Sequence, residues 1–167
     1  GHLKGSDVFF DSVRFVQNAG IKNAVYYAFS TENWKRSDAE VGYLLDLFRQ
    51  QLQKESLKNE PVNVRFVGNR SDFPPDIIAG MNEMEKANQP NHKNTLWIAL
   101  SYGGRAEIVA AVNEAILAGE KVDEETFANL LWSAEMPDPD MIVRTGGDCR
   151  LSNFLTWKSV YSELLFL

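Results

Sequence analysis

The sequence predicts an α/β fold of three layers, a mostly parallel sheet with helices on both faces. Three observations point there. Helix-spaced and strand-like segments alternate along the chain. The strand-like segments are rich in β-branched and aromatic residues. No repeat, low-complexity stretch or linker divides the 167 residues, a length that suits a single domain with its own core.

Residues 6–19 place Val8, Phe9, Ser12, Val13 and Val16 on one helical face, and Gly20 stops the helix. Asn23–Ser30 is a buried strand. Ser37 is an N-cap, with Glu40 three residues on completing a capping box, and the helix runs to about residue 58 with Val41, Leu44, Leu45, Phe48 and Leu52 inward. Val62–Val67 is the second strand and Pro74–Asn88 the next helix. Thr95–Ser101 is the third strand, followed by Tyr102-Gly-Gly-Arg105 and a helix through Leu117. Asp123 caps a helix to about Ala134. Asp140–Val143 is a fourth strand, Leu151–Ser159 has helical spacing, and Tyr161–Phe166 is a fifth strand.

In such sheets ligands bind beyond the carboxyl ends of the strands. The segments there are Ser30–Ser37, Gly68–Phe73, Ser101–Arg105 and Arg144–Ser152, and polar side chains gather in them. Within Arg144-Thr-Gly-Gly-Asp-Cys-Arg-Leu-Ser-Asn-Phe154, two arginines bracket a Gly-Gly turn and Ser152 follows the second closely. A strand, a glycine turn and a helix start carrying such donors can receive a phosphate or diphosphate. Taken alone, the same segment fits a βα turn with surface salt bridges. Phe29-Ser-Thr-Glu-Asn-Trp-Lys-Arg36 supplies hydroxyls, an amide, a flat aromatic and a guanidinium, or else an ordinary turn with Trp34 covering the sheet.

A net charge of −6 argues against a nucleic-acid surface but leaves room for a local basic pocket. The single cysteine, Cys149, excludes an intrachain disulfide, and a reducing compartment is the easier fit. No apolar run approaches the roughly 18–20 residues that span a bilayer. The chain begins without Met and closes on an apolar run, so residues 1–167 are expected to be one domain cut at both ends from a longer protein.

The blocks Phe29–Arg36, Tyr102–Arg105 and Arg144–Phe154, followed by Tyr161-Ser-Glu-Leu-Leu-Phe166, occur in an order that resembles the cis-prenyltransferases. Gly1-His2-Leu-Lys-Gly5 resembles a block of the same family. The resemblance implies condensation of isopentenyl diphosphate onto an allylic diphosphate such as farnesyl diphosphate, with Mg2+, giving a cis-polyprenyl diphosphate such as undecaprenyl diphosphate. It also implies a homodimer in the cytoplasm, with peripheral membrane contact driven by the lipid product.

By similarity, Arg144, Arg150 and Ser152, with Leu151 between them, would hold isopentenyl diphosphate. Arg36 and His2 would hold the allylic diphosphate, Ser30 and Asn33 would lie near the reacting carbons, and Thr31, Glu32 and Trp34 would contact substrate. Glu163 would be a Mg2+ ligand. An apolar tunnel for the growing chain would draw on Ala28, Phe48, Leu52, Val67, Leu96, Ile98 and Leu100.

Several departures accompany the resemblance. The family's opening strand and Asp-Gly-Asn-Gly-Arg-Trp loop precede the position of Gly1, and its basic tail follows Leu167, so the chain alone is expected to be inactive. Cys149 stands where bacterial members commonly have His, Asp148 where they have Glu, and Ser101 where Asn is common. Trp97 would shorten the product if it faced the tunnel. Arg65 is expected to pair with a carboxylate, Arg105 to fix its turn, and His92 to be solvated. Two other readings stay open: a non-catalytic partner subunit of the same fold, which Asn33-Trp34 disfavours, and an unrelated α/β phosphate binder, which lacks its usual glycine motifs here.

Overall fold

The computed structural model describes the backbone of residues 2–53 and 61–167 and the side chains of 8–53 and 61–167. The elements are α1 (His2–Asn18), β1 (Asn23–Ser30), α2 (Asp38–Gln53), β2 (Val62–Val67), α3 (Pro75–Lys86), β3 (Asn94–Tyr102), α4 (Gly104–Ala118), α5 (Glu124–Ala128), β4 (Met141–Arg144) and β5 (Glu163–Phe166). A 3-10 turn, Thr31–Lys35, joins β1 to α2. The first two strands have the predicted bounds, and the third is longer by a residue at each end. The part of the α2 prediction beyond residue 53 falls on 54–60, outside the described residues.

Every strand pair is parallel, as expected, but the described strands form two sheets: β1-β3-β2, and β4 with β5. A strand's local pattern fixes which residues face the core. It does not fix which strand lies beside it, because pairing partners are distant in sequence.

The two faces of the larger sheet separate by strand alternation. Val62, Val64, Phe66, Leu96 and Leu100 join Val13 and Val16 of α1 and Ile77, Met81 and Met84 of α3, with Leu44, Leu45, Phe48 and Leu52 of α2 packed against them. The opposite face gathers Val25, Tyr27, Val67, Trp97 and Ala99 against Trp132, Met136, Phe154 and Leu155. A register shift after Tyr27 turns Phe29 into the first cluster, out of step with Tyr27. This division corrects the tunnel set: Val67 sits on the face opposite Leu96 and Leu100, and Ala28 is exposed. Trp97 also lies on the opposite face, where its indole N–H donates to Asn23 Oδ1 at 3.0 Å.

Other expectations shift for identifiable reasons. Val8, predicted inward, is exposed, because α1 turns Val13 and Val16 to the sheet. α5 ends at Ala128 and the chain continues in turns, so Phe127 and Leu131 pack with Ala111 of α4 in a separate small cluster. Only the Glu40 half of the predicted box forms at α2: Glu40 Oε2 accepts from the Ser37 N–H at 3.3 Å and from the Ser37 hydroxyl at 2.7 Å, while the Glu40 N–H donates to the Ser37 carbonyl at 3.0 Å and not to the hydroxyl. Arg65 pairs with Glu135 at 3.2 Å, as expected. His92 is half-buried, and its Nδ1 is secluded without a hydrogen-bond partner, contrary to the solvated ring predicted.

A buried polar lock ties α4 to the sheet. Glu107 is fully buried, accepts from the Tyr102 hydroxyl, and accepts from the Ser133 N–H at 3.0 Å and the Ser133 hydroxyl at 2.7 Å. Each bond answers a desolvation cost that either partner alone would leave standing. Burial, the Glu107 charge and its hydrogen bond push the Tyr102 hydroxyl far above the usual range, so it stays a donor.

Candidate active site

The strand ends place the polar segments side by side. At the end of β1, the Ser30 N–H donates to Asn33 Oδ1 at 2.8 Å, and the Arg36 N–H donates to the Asn33 carbonyl at 3.2 Å. The bonds wind the segment into its 3-10 turn, and the first also fixes the Asn33 side chain. Trp34 packs against Phe29 and Phe73, with ring centroids 4.9 and 5.2 Å away. Its indole N–H donates to Ser101 Oγ at 2.8 Å, and the Ser101 hydroxyl passes the chain on to Asp72. Serine at position 101 is thus fully buried and satisfied on both sides.

The arginine segment is built differently from its expected form. β4 ends at Arg144 and Gly147 makes the turn at φ +75°, but residues 151–159 run as successive turns without an α-helix. Ser152, Asn153 and Leu155 have φ of +49°, +64° and +47°, a left-handed conformation that a helix cannot contain. Side chains therefore replace the helix N-terminus as the source of donors.

Arg144 Nη1 donates to the Arg150 carbonyl at 2.7 Å and to Ser152 Oγ at 2.6 Å. Asp148 Oδ2 accepts from Arg144 Nη2 at 2.8 Å and from Arg150 Nη2 at 2.7 Å. One carboxylate oxygen holds two guanidinium groups together, an arrangement that like charges would otherwise resist. Cys149 beside them is exposed.

A cleft of about 770 Å³ opens over this loop, and its lining includes Ser30, Glu32, Arg150, Leu151 and Ser152 together with Tyr27 and Arg105. Five of the predicted site residues thus share one cavity, with Arg144 bracing its wall through Ser152. Burial, then the Glu32 charge, pushes the Tyr27 hydroxyl up to about 12, so it remains a donor, to the Tyr102 carbonyl at 3.1 Å. Partial burial would raise the Glu32 carboxyl, but hydrogen bonds led by that from Asn153 outweigh it and hold the group below its usual value.

The remaining predicted residues lie elsewhere. Arg36 lines a second recess of about 290 Å³ with Glu40 and Tyr43, and pairs with Glu40 at 3.7 Å. Glu163 opens β5 as an exposed carboxylate. No group of three or more His, Cys, Asp or Glu suited to a metal ion occurs among the described residues. The side chain of His2 lies outside the described residues.

Sequence reasoning passes over Tyr27 and Asn153 and notes Asp148 only as a replacement. Asp148 and Asn153 stand inside the Arg144–Phe154 block, yet nothing in the sequence marks Asp148 as the bridge between its two arginines or Asn153 as a partner of residues 32, 104 and 105. Arg105 does act at its turn, through a backbone bond to Asn153, and it also faces the cleft.

A parallel α/β fold with Arg144 at a strand end and Arg150 in the loop beyond it is an arrangement that can receive an anionic ligand. A family model described as “Putative undecaprenyl diphosphate synthase” matches residues 1–167. The isoprenyl transferase of Thermotoga maritima is 42% identical over 173 residues, covering 99% of this chain and 74% of that protein. A solved structure of a probable undecaprenyl diphosphate synthase from Campylobacter jejuni superposes with a TM-score of 0.88 at 28% identity, covering 98% of this chain and 80% of the other. Lavandulyl diphosphate synthase from Lavandula x intermedia, in complex with dimethylallyl diphosphate, gives 0.80 at 28% identity over 89% and 68%. The chain belongs to the undecaprenyl diphosphate synthase family of cis-prenyltransferases, enzymes that transfer isoprenyl units. Nothing in these likenesses favours the non-catalytic subunit, and they set aside an unrelated phosphate binder.

Proposed function

We propose that this chain adds isopentenyl diphosphate to an allylic diphosphate of the farnesyl kind, building a cis-polyprenyl diphosphate such as undecaprenyl diphosphate. The observation that carries this reading is the junction of Arg144 with Arg150 through Asp148 and with Ser152 directly, at the edge of a cleft that Ser30 also lines. The cavity, about 770 Å³, is of the size that small-ligand sites take, and Arg105, Arg150 and Ser152 put donors in its lining. The complex of a similar structure with dimethylallyl diphosphate supports an allylic partner.

In this reading Arg150 and Ser152 bind the diphosphate of isopentenyl diphosphate, and Arg144 holds both in place. Arginine suits the role because its planar fork stays charged and meets two oxygens at once. Ser30 and Asn33 border the reacting carbons, where the new carbon–carbon bond forms and a proton leaves. Glu32, Thr31 and Leu151 complete the walls, Trp34 closes the apolar side, and Arg36 with His2 attends the leaving diphosphate. Holding two substrates at attack distance supplies much of the acceleration.

Mg2+ is part of the proposal. Glu163 fits it as a hard oxygen donor, since this cation commonly takes one or two carboxylates plus phosphate oxygens and water. When bound, the ion would neutralise diphosphate charge. A homodimer is also proposed, supported by an unpartnered apolar stripe on α4, as is a cytoplasmic location with peripheral membrane contact through the lipid product. No helix among the described residues is long and apolar enough to cross a membrane.

The test is to incubate the intact enzyme with farnesyl diphosphate, labelled isopentenyl diphosphate and Mg2+, and to size the products. Elongated polyprenyl diphosphates are expected. Absence of any product longer than the primer defeats the reading.

A further inference from the structure

Asn153 joins three segments that the sequence keeps far apart. Its backbone carbonyl accepts from the Gly104 N–H at 2.8 Å, and its Oδ1 accepts from the Arg105 N–H at 2.8 Å. These are the first two N–H groups of α4, which has no capping side chain of its own at Gly103. The third bond runs from Asn153 Nδ2 to Glu32 Oε1, also at 2.8 Å and across 121 positions. The cap of α4 therefore comes from the arginine loop, and the same side chain holds the turn that follows β1.

The backbone serves this arrangement. Asn153 has φ +64°, and asparagine is among the few non-glycine residues that enter this region at modest cost. A Cβ at Gly103 would stand 2.5 Å from Thr31 Oγ1 and 2.8 Å from Asn153 Nδ2, so all three segments meet where a side chain would have to displace both tips. Ser152 precedes Asn153 directly, while Glu32 stands between Ser30 and Asn33. A shift of either segment against the other would change the gap between the isopentenyl diphosphate donors and the groups beside the reacting carbons.

We propose that Asn153 is a positioning residue for the condensation: through Glu32 and the first turn of α4, it sets the distance between the two substrate half-sites. It touches no reacting atom in this scheme, and the inference rests on the substrate assignment proposed above. Loss of the side chain should lower kcat rather than substrate binding, because each half-site keeps its own donors while their separation relaxes.

The experiment compares the intact wild-type enzyme with N153G, N153D, E32Q and N153D/E32Q, using farnesyl and isopentenyl diphosphates with Mg2+. N153G keeps the backbone bond and tolerates the positive φ, so it removes the side chain with little risk to folding. N153D still accepts from the Arg105 N–H but sets a second carboxylate against Glu32. In N153D/E32Q the amide introduced at position 32 donates to the carboxylate introduced at position 153, restoring the bond with its polarity reversed. Any separate effect of E32Q is measured alone and divides out of the cycle.

The expected result is a fall in kcat of roughly 10- to 100-fold for N153G and N153D, with either KM within about threefold, the scale expected of an ångström-sized misplacement. N153D/E32Q should regain most of the loss relative to E32Q. The proposal is overturned if N153G and N153D keep wild-type kcat, if only a KM changes, or if the swap restores the melting temperature without restoring kcat. An inactive wild-type enzyme instead defeats the substrate assignment, which separates the two failures.

Discussion

Arg144 and Arg150 are the same residue type six positions apart, yet their surroundings give them different tasks. The Arg144 side chain is 26% exposed and binds the Arg150 carbonyl, Ser152 and Asp148, whereas that of Arg150 is 66% exposed with Asp148 as its ion-pair partner. Arg144→Ala should therefore damage both the loop and the chemistry. We expect a loss of about 1–3 kcal/mol in stability from the unpaired groups, seen as a lower melting temperature, together with reduced kcat/KM. Arg150→Ala should leave the melting temperature within about a degree and raise KM for isopentenyl diphosphate, by analogy with a single lost charge-assisted bond. Equal melting losses in the two variants would refute this division. The arginine types and their spacing were legible in the sequence. Which one braces and which one reaches was not, because the difference lies in the bonds from Arg144 to the Arg150 carbonyl and to Ser152, whose backbone is left-handed.

At the scale of the element, the Tyr102-Gly-Gly-Arg105 turn shows why glycine stands where it does. A Cβ at Gly104 would lie 2.2 Å from Thr156 Oγ1 and 2.7 Å from the Thr156 backbone nitrogen. Backbone cannot rotate out of the way as a side-chain tip can, so Gly104→Ala must push α4 off the arginine loop. The expected cost is about 1–3 kcal/mol or more, read by chemical denaturation, with a parallel fall in turnover. Wild-type stability in that variant would show that the loop yields without consequence. The glycines announced a turn, but the close approach they permit arises only from how α4 meets residues 152–156. The absent helix after Leu151 belongs here as well. Apolar residues at helical spacing suggested one, and Leu151, Phe154 and Leu155 do turn inward or toward the cleft. Three left-handed residues and the use of Asn153 as a cap in trans exclude the continuous ladder a helix requires.

At the scale of the molecule, α4 carries apolar side chains on two sides. Ala111 and Ala115 are buried beside Glu107, while Val109, Val112, Ile116 and Leu117 are exposed. Positions 109, 112 and 116 form one stripe at helical spacing, the kind of surface that another chain can cover. Since the proposed partner is a second copy, Ile116→Glu should convert a dimer to a monomer in sedimentation without changing the circular dichroism of the fold. A wild-type enzyme that sediments as a monomer at micromolar concentration, or a variant that stays dimeric, would remove this surface from the assembly.

The linear order of residues was enough to dictate the alternation of helices and strands, the parallel sense of the sheet, and the residue types of an anion site. These follow from local periodicity and from side-chain chemistry, which the chain carries residue by residue. The ordered blocks likewise carried the family. Folding in three dimensions was needed to divide the described strands into two sheets, to turn Val67 away from Leu96, and to set Arg36 apart from the main cleft. It was needed equally to put Asp148 between two guanidinium groups, and to join Asn153 to residues 32, 104 and 105. Apart from the Asp148 bridge, which closes within one loop once its backbone has turned, those relations are contacts between segments distant in sequence, set by how the whole chain packs, which no local spacing encodes.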